Sequence, residues 1–97
     1  MEGLAIDLSH VPANARRRVL EELWSRLGVD AQPDALQVVI ATHSRSNALE
    51  ELAVALLDVG APGEPPFRVN VYALGPPIMT YLVKGQKLVE FGRQGPG

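Results

Sequence analysis

The order of its segments marks this chain as a small α/β domain, strand-helix-strand-helix-strand-strand-strand, built around one mixed sheet. Three observations carry that expectation. Two stretches with apolar residues at three- and four-residue steps, 13–27 and 48–59, each follow a short apolar run, LAIDL and LQVVIAT. The remaining third loses helical spacing and takes up a period of two, broken at 84–86 by Lys-Gly-Gln. A length of 97 residues with 46% hydrophobic content suits one core and leaves no room for a second.

Leu4–Leu8 (LAIDL) is the first strand, ended by Ser9, His10 and Pro12. In the first helix, Ala13–Leu27, the positions Ala15, Val19, Leu20, Leu23, Trp24 and Leu27 form the buried stripe, and Gly28 supplies the carboxyl-terminal cap. The other face pairs Arg17 with Glu21, Arg18 with Glu22 and Glu22 with Arg26, four residues apart. Leu36–Thr42 (LQVVIAT) is nearly continuous in apolar residues. Such a strand is expected to be covered on both faces and central in its sheet.

The second helix is expected from Ala48 to about Val59, burying Leu49, Leu52, Ala53, Leu56 and Leu57, and stopping at Gly60 before the stiff connector GAPGEPP. Phe67–Leu74 alternates as a strand. Ile78–Val83 and Lys87–Phe91 form a hairpin in which Gly85 provides the positive φ. Right-handed crossovers would set the first three strands parallel and the last two antiparallel. Residues 1–97 make a single domain, with 92–97 as a frayed tail.

Composition excludes whole classes of function. With no cysteine, there are no disulfides, thiolate-held clusters, cysteine zinc sites or thiol redox chemistry. A net charge of −2 argues against a binder of phosphate backbones, which needs a basic face. The start, MEGLAIDLSH, lacks the basic and long apolar regions of a signal peptide, and no run approaches membrane-spanning length, so a cytoplasmic protein is expected. No catalytic set, metal or cofactor is indicated.

The C-terminal stretch PPIMTYLVKGQKLVEFG resembles the closing hairpin of thioredoxin-like proteins, a proline, an apolar strand, a Lys-Gly turn and a strand ending in glycine. VVIATHSRSNALEELAVALLDVG is similar to the strand, loop and helix that carry C-x-x-C in glutaredoxins, with Ser46 and Leu49 at the two cysteine positions. VNVYALGPPIM resembles the strand and turn of thioredoxin-like ferredoxins, with Ala73 at a cluster cysteine. The resemblance covers about the last 60 residues and implies a thioredoxin-like fold in which Pro77 is cis and lies beside the start of the second helix. Every cysteine is missing, so the redox, glutathione-disulfide and cluster-binding roles of that family do not carry over.

Two kinds of site remain. Ser44, Arg45, Ser46 and Asn47 stand at a helix start after a strand, where free N–H groups attract anions, and the resemblance adds Pro77 to that site. The structural account of the same loop is capping, by Asn47 with Glu50 reaching back. His10 and His43 would end parallel strands at one sheet edge, and in a thioredoxin-like order ~10 Å apart, too far to share a metal. Arg16, Arg17 and Arg18 crowd the first turn of the first helix against its dipole, which suits contact with an acidic protein surface. The second helix is thinly polar around Val54, and the final strand KLVEF, with only Lys87 and Glu90 to protect it, is an edge open to another chain. A protein partner or a homodimer is therefore expected.

Overall fold

The computed structural model describes residues 2–92. The elements follow the expected order: β1 Glu2–Asp7, α1 Ala13–Leu27, β2 Gln37–Thr42, α2 Arg45–Val59, β3 Phe67–Tyr72, β4 Pro77–Lys84 and β5 Lys87–Gly92. Gly92, expected in the tail, closes β5, while 93–97 lie outside the described residues.

The strands form one sheet in the order β2-β1-β3-β4-β5. Every pair is antiparallel, which corrects the expected mixed sheet with three parallel strands. The connection after α1 explains the difference. Segment 28–36 can reach about 30 Å, enough to run back along the sheet after the helix and deliver β2 beside the end of β1. Leu8 N–H donates to Leu36 C=O at 2.8 Å, fixing that return, and Val29, Ala31 and Ala35 pack against the core on the way. The crossover through α2 behaves as expected, since β2 and β3 run the same way, but with β1 between them.

A second correction follows. β2 is an edge strand, not the centre of the sheet, and Val39 is 62% exposed. β3 and β4 form a plain hairpin, and Pro77 follows a trans peptide bond. The cis proline that the thioredoxin-like resemblance implies is not found.

Both helices cover one face of the sheet. That face carries Leu4 and Ile6 of β1, Val38 and Ile40 of β2, Phe67, Val69 and Val71 of β3, and Tyr81 and Val83 of β4, all buried. Burying one such side chain stabilises by about 1.5–3 kcal/mol. The stripe on α1 is as the spacing predicts except for Trp24, which is 60% exposed because Leu20 and Leu23 hold the buried side. Gly28 caps α1 in the left-handed region at φ 66.

α2 starts a turn earlier than expected and is rolled slightly about its axis. Ala48, Leu52, Ala55, Leu56 and Val59 are buried, whereas Leu57 is exposed and Leu49 and Ala53 are half-buried. α1 and α2 are joined by Arg26, which pairs with Glu22 on its own helix and with Glu51 and Asp58 on α2. The hydrogen bond to Asp58 is the main reason that the guanidinium pKa is raised. The replacement Arg26→Met should lower the melting temperature slightly in dilute buffer and by less in concentrated salt, because these groups are open to solvent. A loss independent of salt would instead assign Arg26 a packing role.

Candidate functional site

The helix start that the sequence singles out is already satisfied from within the chain. Ser44, extended at φ −146, is the N-cap: its Oγ accepts from Asn47 N–H at 3.3 Å and lies 3.1 Å from Ser46 Oγ. Asn47 is therefore inside the first turn and is not the cap. Thr42 Oγ1 accepts from Ser44 N–H and donates to Ser44 C=O, which closes the turn. The positive end of α2 already holds a carboxylate, since Arg45 N–H donates to Glu2 Oε2 at 3.3 Å and Arg45 Nε donates to Gly3 C=O at 3.3 Å. Pro77 lies at the same end of the sheet, but β4 is three strands from β2, roughly 14 Å away. The fold does not bring Pro77 to Ser44, Arg45 and Ser46.

Antiparallel pairing also separates the two histidines. His10 follows the end of β1 and His43 follows the end of β2, about 20 Å apart along the strands, not at one edge. His10 Nε2 lies 3.2 Å from Arg68 Nη2. Nearby, burial raises the pKa of Asp7, but hydrogen bonds from the Ser9 side chain and backbone and from Asn70, with the charge of His10, together hold it below the usual value. Among the described residues no cluster of three or more His, Cys, Asp or Glu could hold a metal ion. No helix among them is long and apolar enough to cross a membrane.

Two of the three arginines in the first turns of α1 have internal work. Arg18 Nη2 donates to Glu64 Oε1 at 2.6 Å and reaches Val59 C=O, tying α1 to the connector after α2. Arg16 Nη1 donates to Val11 C=O at 3.2 Å. Arg17 is exposed and borders an open groove of roughly 570 Å³ formed by Leu20, Trp24, Val29 and Pro33. Val54 is exposed beside Leu57 on the outer side of α2.

The other face of the sheet has no layer covering it among the described residues. Register sets its rows: Val39 beside Ala5 beside Tyr72; Gln37, Asp7, Asn70, Thr80 and Phe91 in line; Arg68, Leu82 and Val89; then Lys84 with Lys87. Exposure is 62% at Val39, 55% at Phe91 and 37% at Val89. Leu74 adds to this face from the β3–β4 turn. It holds φ 48, a conformation costing a non-glycine residue roughly 1–2 kcal/mol, and is still 62% exposed. A Cβ on Gly3 would meet Leu74 Cδ1 at 2.5 Å, so the leucine lies over Gly3 on the bare side.

Sequence reasoning took Val89 and Phe91 only as part of the open edge KLVEF, which is at the edge of the sheet, and did not single out Val39 or Leu74. The signal was present in the two-sided apolar run VVIA, but it was assigned to a central strand.

No protein-family model, no curated protein and no solved structure matches this chain.

Proposed function

We propose that this domain is a protein-binding module, an accessory element without thiol chemistry, that docks a partner through the bare face of its sheet. The observation that supports this best is the composition of that face. A sheet with one face in water normally alternates apolar inward and polar outward. Here the exposed or half-buried outward positions include Val39, Ala41, Leu82, Val89 and Phe91 beside the polar row Gln37, Asp7, Asn70 and Thr80, with Leu74 added from a strained turn. Extended exposed apolar patches mark interaction sites.

Binding of a small anion at Ser44, Arg45 and Ser46 has less behind it, because a ligand there would displace Glu2 and would not reach Pro77.

A photo-reactive amino acid at position 39, in the full chain in its native cells, is expected to cross-link one discrete protein. The same probe at Glu50, on the outer side of α2, is expected to give none. Cross-links at 50 and none at 39 would move the docking surface to the helix layer and overturn the reading. So would tight binding of single-stranded oligonucleotides that is lost on replacing Arg68, Lys84 and Lys87 by alanine.

A further inference from the structure

We infer that the partner on the bare sheet face is a second copy of this chain, which gives a dimer with two five-stranded sheets back to back and helices on the outside. This rests on the reading of that face as a docking surface.

The sequence of β2 asks for cover that one copy lacks. Val38 and Ile40 point to the helices, while Val39 and Ala41 point away, the pattern of a strand buried on both sides. In one copy β2 is an edge strand with its outer side chains in water. Local pattern and tertiary position agree only when another layer lies on that face. The thickness says the same, because the chain is a slab of 38 × 29 × 20 Å, with room for the helix layer and the sheet and nothing beyond.

The size of the face suits a like partner. Four strand spacings plus the width of one strand give about 24 Å, and six residues along a strand about 20 Å, so two faces together bury on the order of 1,000 Å² before side-chain relief is added. That reaches the threshold of a specific interface, whereas a single helix or extended peptide would cover only part of the same face.

A two-fold contact needs a patch that fits itself. Accessible apolar residues occur on both flanks of the central β3: Val39 and Ala41 on one side, Leu82, Val89 and Phe91 on the other, with the polar row Gln37, Asp7, Asn70 and Thr80 running across between them. A two-fold axis in the plane of the sheet exchanges these flanks. Lys84 and Lys87 flank the β4–β5 turn and Arg68 is near the same end of β3, so these cations lie toward one end of the face, at the rim, where charge is tolerated. Sheets of ordinary twist stack in this way about 10 Å apart.

Light scattering or sedimentation from roughly 1 to 100 μM should give a mass twice the 10.5 kDa of the chain. The double replacement Val39→Lys with Phe91→Lys should weaken the dimer on the order of 30-fold or more, because it sets a charge against apolar surface on both flanks of the contact. Both sites are exposed in one copy, so the circular dichroism spectrum should stay unchanged. Val54→Lys, on the helix side, should leave the dimer intact. A monomer at every concentration overturns the inference, as does a dimer that dissociates with Val54→Lys and survives the double replacement. A monomer whose position-39 probe captures a different protein removes the second copy and leaves the docking surface standing. A monomer with no cross-link at 39 removes both.

Discussion

Replacing Tyr81 with alanine should cost this domain about 3–5 kcal/mol, equivalent to a fall of on the order of 15 °C or more in melting temperature. The ring is 1% exposed, stands between the sheet and α2, and donates its hydroxyl proton to Leu49 C=O at 3.0 Å. Phenylalanine keeps the ring and loses only the hydrogen bond, so Tyr81→Phe should cost about 1 kcal/mol. The pair separates packing from hydrogen bonding, measured by urea unfolding of both variants. Equal losses would mean that the hydroxyl, not the ring, secures the contact.

The same residue should give the domain an alkaline limit. Burial, then the charge of Glu90 opposite it on β5, pushes the Tyr81 phenol from its ordinary 10.0 up to about 12. The folded state thus prefers the neutral phenol. This contribution to stability is fully present below pH 10, where the unfolded chain is also neutral, and is lost as pH rises through about 12. Tyrosinate absorbance should show a late ionisation near that value, accompanying unfolding, and Tyr81→Phe should remove it. Persistence of the late step in that variant would assign it elsewhere.

Gly60→Ala is the second change with a large expected effect, through contact and not through backbone conformation. Gly60 ends α2 at φ −60 and ψ 137, a geometry open to any residue, so it is not the left-handed cap that its position after the helix suggests. A Cβ there would lie 2.0 Å from the carbonyl oxygen of Gly85 and 3.1 Å from Val83 Cγ1. The carbonyl belongs to the β4–β5 turn, where Gly85 holds φ 58 and the backbone has little freedom to retreat. The expected cost is about 1–3 kcal/mol, with amide shifts concentrated at residues 83–87. Gly3→Ala is the control. It meets only the end of the Leu74 side chain, which can swing away, so its cost should be far smaller. If alanine at 60 leaves stability unchanged, α2 and the hairpin do not approach this closely.

Particular residues show how much of this was legible beforehand. Gly28 after the α1 stripe and Gly85 between two alternating runs depend on backbone freedom within a few residues, and both hold the positive φ their neighbours imply. Gly60 reads from its neighbours as another cap, yet its reason is a turn more than twenty positions later. The candidate site divides in the same way. Ser44 to Asn47 reads as a helix start and is one, with the cap at Ser44. That Glu2 fills this start, and that Pro77 stands three strands away, depends on strand order, which no local pattern contains.

The sequence by itself determined the seven elements, their order, the helix-facing half of the core and the absence of thiol chemistry, because periodicity, turn residues and composition act over short range or over the whole chain at once. Only the tertiary structure decided the direction of β1 against β2, the edge position of β2 and the bare face that follows from it. The segment 28–36 is long enough to deliver β2 in either direction, and the choice rests on packing between residues far apart in the chain, Leu8 with Leu36 and Leu4 with Ile40.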